Sequence, residues 1–244
     1  MNYYNQKKFH TKKIIIKSTK KKRKMKTLLF LLLISLSLQT KGIDVSVWQE
    51  NIDWKKVKSD GVKFAIIRAG YMKNGVSTRD KYFDKNYKES RANGIKIGAY
   101  WYAYAQTTSY AEKEAKACIN IIKGHKFEYP IYYDVEDKGM MATGKSKISA
   151  ACRTFCDYLL KNKFYCGIYA SAYPLNKSFD SDVLKKYPIW VAHYGAKKPG
   201  YNGKWGIWQY TSSGSVKGIK GRVDMNDGKV EYLDVIKKGH YNGY

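Results

Sequence analysis

The chain has 244 residues, 44% hydrophobic and 15% aromatic, with 46 Lys and Arg against 20 Asp and Glu and a formal charge of +26. That length and apolar content can bury one large core, and with four Pro, no long Gly/Ser tract and no internal repeat there is no evident interdomain linker. Forty of the basic residues are Lys and six are Arg; Arg is the usual reader of base edges and phosphate forks, so nucleic acid is set aside as a partner. A lysine-rich surface suits an anionic polymer such as a cell wall, or is compositional bias with no specific partner.

The charge is uneven. Residues 1–26 hold eleven Lys and Arg and no acid, leaving +15 on the rest. Lys26 precedes a Leu-rich run from Leu28 to Leu38, broken only by Ser35 and Ser37. The run is short for a bilayer span and about right for a secretory signal core. Met25-Lys26-Thr27 makes a normal signal start, so residues 1–42 read as a basic extension plus signal peptide, with an uncleaved anchor as the alternative. The mature chain is expected to begin between Lys41 and Asp44, to hold one domain over 43–244, and to act as a monomer, secreted or in a vacuolar or phagosomal lumen, without stable membrane insertion.

From Ile43 onward, short apolar runs alternate with helical stretches. The runs end at Asp44-Val45-Ser46, Phe64 to Arg68, Ile97 to Tyr100, Ile131 to Asp134, Gly167 to Tyr169, Ile189 to Ala192, Gly206 to Gln209 and Arg222 to Asp224. Helices are expected over 53–60, 80–93, 109–123, 146–162 and 179–186, the third capped by Ser109 with Glu112 three residues on. Strand–helix alternation at this spacing implies a parallel sheet, and eight strands in about 200 residues imply closure. The last three strand ends are closely spaced, and residues 194–205 cannot form a helix. The fold is therefore α/β: a modified β/α barrel of about five βα units, followed by three strands with short connections, some of them antiparallel.

The most informative stretch is Tyr129-Pro130-Ile131-Tyr132-Tyr133-Asp134-Val135-Glu136-Asp137. It reads as a short buried strand ending in acids, with Asp134 and Glu136 on the face of Tyr132. Like charges at a half-buried strand end raise the pKa of one of them, which is what a general acid needs; a solvated acidic turn is the bland alternative. Asp44, Arg68, Tyr71, Tyr100, Tyr169, Trp190, His193, Gln209 and Asp224 also fall at strand ends. Singly, each could be a structural polar group or a core aromatic. Together, carboxylates ringed by Trp and Tyr at one barrel rim suggest a cleft that stacks sugars while an acid cleaves between them. No cofactor and no metal are expected, since no HExxH or CxxC motif occurs. Cys118, Cys152, Cys156 and Cys166 allow three pairings. Cys152 and Cys156 share a helix face and do not suit each other, and disulfides and free thiols both remain open.

These residues resemble glycoside hydrolase family 25, the muramidase (lysozyme) family. The resemblance is carried by Gly42-Ile43-Asp44-Val45-Ser46-Val47-Trp48-Gln49, Ile52-Asp53-Trp54, Gly61 to Ala69, Asp134-Val135-Glu136, Trp208-Gln209-Tyr210-Thr211 and Val223-Asp224-Met225-Asn226. It implies retaining cleavage of the β-1,4 bond between N-acetylmuramic acid and N-acetylglucosamine in bacterial peptidoglycan. Glu136 would be the acid/base, and Asp134 would stabilise the substrate's attacking 2-acetamido group. Asp44 and Asp224 would be the other floor acids, with Tyr100 and Tyr169 near the acetamido group and Arg68, Tyr71, Trp190 and Gln209 in support. Asp134 would stay ionised and raise the pKa of Glu136, giving an acidic optimum. One departure stands out: Trp101 occupies a position where the family often has His, with bulky Tyr102 and Tyr104 beyond it, so the resemblance leaves subsite shape and fine specificity open there, but not the acids. A non-catalytic glycan-binding barrel and a chitinase-like hydrolase are the alternatives.

Overall fold

The computed structural model describes residues 40–244; of the extension and signal expected over 1–42, residues 1–39 lie outside them, while Thr40, Lys41 and Gly42 belong to the first strand. Nine strands are present: β1 (Thr40–Val45), β2 (Phe64–Lys73), β3 (Val76–Arg79), β4 (Lys96–Tyr102), β5 (Ile131–Asp134), β6 (Cys166–Ser171), β7 (Ile189–Ala192), β8 (Ile207–Gly214) and β9 (Val223–Gly228). The helices are α1 (Trp54–Ser59), α2 (Phe83–Ala92), α3 (Thr108–Ile122), α4 (Lys138–Met141), α5 (Lys145–Lys161), α6 (Ala172–Lys177), α7 (Ser181–Lys186) and α8 (Leu233–Lys238), with a 3-10 turn at Val47–Gln49. Eight strands close in the order β1-β2-β4-β5-β6-β7-β8-β9, because β1 pairs with both β2 and β9. All neighbours are parallel except β9, which runs antiparallel to β8 and β1. Five βα units and then three strands with short connections is the expected plan, and 194–205 contains no helix.

β3 was not foreseen. Asn74-Gly75 turns β2 back on itself with φ of 51° and 79° at the two turn residues, the positive values that an Asn-Gly hairpin turn requires. The dipeptide was a readable signal. Helix α3 starts one residue earlier than expected and is capped by Thr107, whose Oγ1 accepts the Tyr110 N–H at 3.2 Å, not by Ser109. Helix α2 starts at Phe83 instead of residue 80 because the Asp80 carboxylate binds the Val47 and Tyr82 N–H groups and Arg68, holding its own segment outside the helix.

Strand alternation divides the core in two. Outward residues such as Ile43, Ile67, Trp101, Tyr133 and Val191 pack under the helices; the Tyr133 ring stacks on Phe155 of α5 at 3.9 Å. Inward residues Phe64, Ile66, Tyr129, Tyr132, Tyr169 and Trp190 fill the barrel. That aromatic filling needs small partners. A Cβ at Gly42 would lie 2.2 Å from the Phe64 ring, and one at Gly167 would lie 2.6 Å from Tyr132, so glycine is required at both. The four cysteines are buried free thiols, with Cys156 and Cys166 Sγ 2.6 Å apart.

The carboxyl-terminal tail seals the end of the barrel away from the acids. Asn242 is fully buried with φ 54°, a conformation that Asn tolerates better than most side chains. Its Nδ2 donates to Tyr129 O at 3.0 Å, and its Oδ1 accepts from Tyr165 N at 2.8 Å. Asn242→Ala should orphan both backbone groups and cost about 2–4 kcal/mol, seen as a lower urea midpoint.

Glu114 on α3 is also fully buried, accepting from Tyr104 N at 2.8 Å and from the Tyr133 hydroxyl. Burial pushes its pKa up from 4.5 to about 7 against those hydrogen bonds. The folded chain therefore holds this proton to higher pH than the unfolded chain does. The stabilisation is complete below about pH 4.5 and is lost as pH rises to about 7. Urea denaturation should show the Glu114→Gln variant losing less stability than the parent between pH 5 and 7.5, by up to about 3 kcal/mol.

Candidate active site

Because β-strand side chains alternate, each barrel strand delivers an inward residue to the same rim: Asp44 from β1, Arg68 from β2, Tyr100 and Tyr102 from β4, Asp134 from β5, Tyr169 from β6, Trp190 from β7, Gln209 from β8 and Asp224 from β9. Together with Glu136, just past β5, and Ser46, Trp48, Gln49 and Tyr194, these line a cleft of about 220 Å³. In the strand register, Tyr102 and Tyr169 flank Asp134, and Asp44 lies directly opposite Asp224. Like charges facing one another across a strand pair destabilise a sheet. Four acids sharing one cleft are therefore there for chemistry.

The cleft floor is held by a polar chain. Asp44 Oδ2 accepts from Gln209 Nε2 at 2.9 Å and from Asn226 Nδ2 at 2.8 Å. Asn226 Oδ1 accepts from Trp190 Nε1 at 2.8 Å, and Gln209 Oε1 accepts from the hydroxyls of Tyr169 and Tyr194, both at 2.7 Å. On the other side, Arg68 Nε donates to Asp80 Oδ2 at 2.8 Å, and the same carboxylate oxygen takes the Val47 N–H at 2.9 Å. Asp80 thus aims Arg68 and anchors the turn bearing Trp48. The Trp48 ring is 80% exposed at the cleft mouth, while its turn is locked by the reciprocal Ser46–Gln49 cap. An exposed indole on a rigid turn is a stacking platform.

Asp134 and Glu136 differ in environment. Asp134 is 5% exposed, and its Oδ1 has no hydrogen-bond partner among the described residues. Glu136 opens to the cleft. Burial pushes Asp134 well above the usual carboxylate range, helped by the charges of Glu136, Asp44 and Asp224 and opposed by Arg68. Glu136 is raised by lost hydration and then by Asp224. Burial also raises Asp44 strongly, and lost hydration raises Asp224 to about 6. Both carboxyls of the D-x-E pair are thus raised, Asp134 by burial and its acidic neighbours and Glu136 by lost hydration and the charge of Asp224, where the sequence reading looked to Asp134 for that charge.

Nine of the ten site residues expected from sequence line the cleft. Tyr71 does not; its ring packs against Tyr104 at 6.1 Å, beside the Arg68 guanidinium. His193 lies in a neighbouring cavity. Trp101 does not reshape the cleft, because it faces outward and is fully buried under the helices while Tyr100 and Tyr102 face in. Sequence reasoning gave no site role to Asp80, Asn226, Trp48 or Tyr194, although Trp48 and Asn226 stand within the motifs that carry the resemblance. Asn226 could have been found, since it sits two residues from Asp224 on the same strand face. Asp80 and Tyr194 lie outside the barrel strands, and no local pattern marks them.

A closed β/α barrel with a carboxylate cluster and aromatic walls at one rim is built to cleave glycosidic bonds. The chain belongs to glycosyl hydrolases family 25, whose pattern covers residues 43–219, and it is a glycoside hydrolase. It is 32% identical over 220 residues to the uncharacterised protein YegX of Escherichia coli K12, across 86% of this chain and 78% of that one. It is 32% identical over 189 residues to the autolytic lysozyme of Clostridium acetobutylicum, across 77% of this chain and 55% of the relative. The bacterial lysozyme from Streptomyces coelicolor superposes with a TM-score of 0.69 at 28% identity, over 82% of this chain and 96% of that one.

Asp224→Asn removes the charge that raises Glu136. The alkaline limb of the kcat/KM profile should move to lower pH, with a larger effect on KM than on kcat.

Proposed function

We propose that this chain is an N-acetylmuramidase that cleaves the β-1,4 bond between N-acetylmuramic acid and N-acetylglucosamine in bacterial peptidoglycan, with retention and with help from the substrate's 2-acetamido group. The carrying observation is the pairing of buried Asp134, its Oδ1 unpartnered, with cleft-facing Glu136 two residues on. A carboxylate oxygen without a donor at a cleft floor suits an acetamido N–H. That hydrogen bond favours the ionised form of Asp134, and a sugar displacing water raises Glu136 further. Substrate binding therefore favours an ionised Asp134 beside a protonated Glu136.

Glu136 then donates to the glycosidic oxygen as the C1–O bond breaks, and the acetamido carbonyl oxygen bonds to C1. Ionised Asp134 stabilises the oxazolinium-like charge. Glu136, now a carboxylate, takes a proton from the water that opens the ring, so the two inversions restore the starting configuration. Tyr100 and Tyr169 wall the acetamido site, and Asp44 and Asp224 bind sugar and bias Glu136. Arg68, Trp190 and Gln209 position the floor.

The +15 beyond residue 26 favours approach to an anionic wall, and the lysozyme relatives support action outside the cytoplasm. The protein is proposed to be exported or lumenal, processed ahead of the barrel, and monomeric. Among the described residues no helix is long and apolar enough to cross a membrane.

Glu136→Gln should lower kcat on purified peptidoglycan by about 10²–10⁴-fold with little change in binding. Prompt proton NMR should show the β-configured product, and mass analysis should show new reducing ends on muramic acid. An inverted product, free peptides, or activity on chitin oligomers alone would overturn the assignment. Binding without cleavage would point to a glycan-binding barrel.

A further inference from the structure

Beside the acid cleft lies a second cavity, of about 350 Å³, lined by Ser171, Ala172, Tyr173, Asn176, Ala192, His193, Tyr194 and Gly200. It is larger than the cleft itself, and the two share one wall, Tyr194. The Tyr194 hydroxyl donates to Gln209 Oε1 at 2.7 Å inside the cleft network, while its ring faces both spaces. The position of this ring is therefore fixed by the same amide that contacts Asp44.

The chemistry of the second cavity differs from that of the first. Its surface is largely methyl and aromatic, supplied by Ala172, Ala192, Tyr173 and Tyr194. Its polar side chains are mostly engaged already: Asn176 Nδ2 donates to Gly200 O at 2.8 Å, Asn176 Oδ1 accepts from Asn202 N at 3.1 Å, and His193 Nδ1 accepts from Gly200 N at 2.8 Å. A sugar ring presents several hydroxyls that need partners, and this cavity offers few. It contains no carboxyl group, so it is no second catalytic centre. Tyr173, at the edge, leaves its ring 75% exposed, and Ser171 makes no capping hydrogen bond with its side chain.

We infer that this cavity is a subsite for the apolar arm of a muramyl residue, the lactyl ether and first alanine of its stem peptide, held while the glycan occupies the acid cleft. The inference rests on the muramidase reading and adds a specificity element to it. The lactyl-alanyl arm carries two methyls beside its amides and is the branch that stands clear of the sugar rings, whereas the acetamido methyls stay with the rings in the acid cleft. It leaves the glycan within a bond or two of the ring, as a cavity sharing a wall with the cleft requires. The pocket recognises shape and apolar surface, so each methyl it covers is worth about tenfold or more in kcat/KM.

The test compares two polymers with the full chain: glycan strands carrying stem peptides, and the same strands after enzymatic removal of the peptides. The parent should prefer peptide-bearing strands by about tenfold in kcat/KM, mostly through KM. Tyr173→Ala removes one wall, and Ser171→Leu fills the cavity at a side chain that makes no capping hydrogen bond; either should bring the ratio of the two kcat/KM values close to one. The two variants fail to fold for different reasons if at all, and circular dichroism screens both. A parent ratio near one, or a ratio unchanged in both folded variants, would overturn the subsite. A parent that cleaves neither polymer would instead overturn the muramidase reading on which it rests.

Discussion

One carboxylate oxygen joins the first strand of the barrel to its last two. Asp44 Oδ2 on β1 accepts amide hydrogens from Gln209 on β8 and Asn226 on β9. The sheet changes there from parallel to antiparallel and closes on itself. The same two amides fix Tyr169, Tyr194 and Trp190 through their other atoms. The seam of the barrel and the floor of the cleft are thus one hydrogen-bonded unit. Polar groups this deep are costly unless satisfied, and here each amide is engaged at both its oxygen and its nitrogen.

That arrangement leaves a contrast among the acids. Asp44 is buried but supplied with donors, whereas Asp134 is buried with one oxygen unpartnered. Leaving a buried carboxyl short of a partner costs stability, and such sites persist where a ligand completes them. Burial raises the affinity of Asp134 for a proton, and a donor to its unpartnered oxygen would lower it.

The outer layer does different work. Trp101 and Tyr133 lie on the same strands as Tyr100, Tyr102 and Asp134, yet belong to the core under the helices. A neighbouring residue in sequence can therefore be irrelevant to the cleft, while Asp80, outside the barrel strands, aims Arg68 and anchors the Trp48 turn. Glycines 42 and 167 admit the inward aromatics, so the packed barrel carries its cleft only at the rim. Buried Glu114, accepting the Tyr104 N–H, ties the segment after β4 to α3 from outside the barrel.

The eight barrel strands, the five main helices and the D-x-E pair could be read from the chain because they depend on local periodicity and chain spacing. Alternation within a strand already places Asp134 with Tyr132, and the short intervals after Ala192 already imply connections without helices. The Asn74-Gly75 hairpin is equally local, since the dipeptide itself favours the positive φ values of its turn. The other features depend on contacts between residues far apart in sequence. Asp44 meets Gln209 and Asn226 across 165 and 182 positions, and Asn242 closes the barrel against Tyr129 across 113. The raised proton affinities of Asp134 and Glu136 depend on burial and on Asp224, neither of which a strand pattern encodes. Sequence determined which residues could reach the rim, since side-chain direction is a property of the strand. Tertiary structure decided that both acids of the pair are raised and by which neighbours, because lost hydration and distant charge exist only once the barrel has closed.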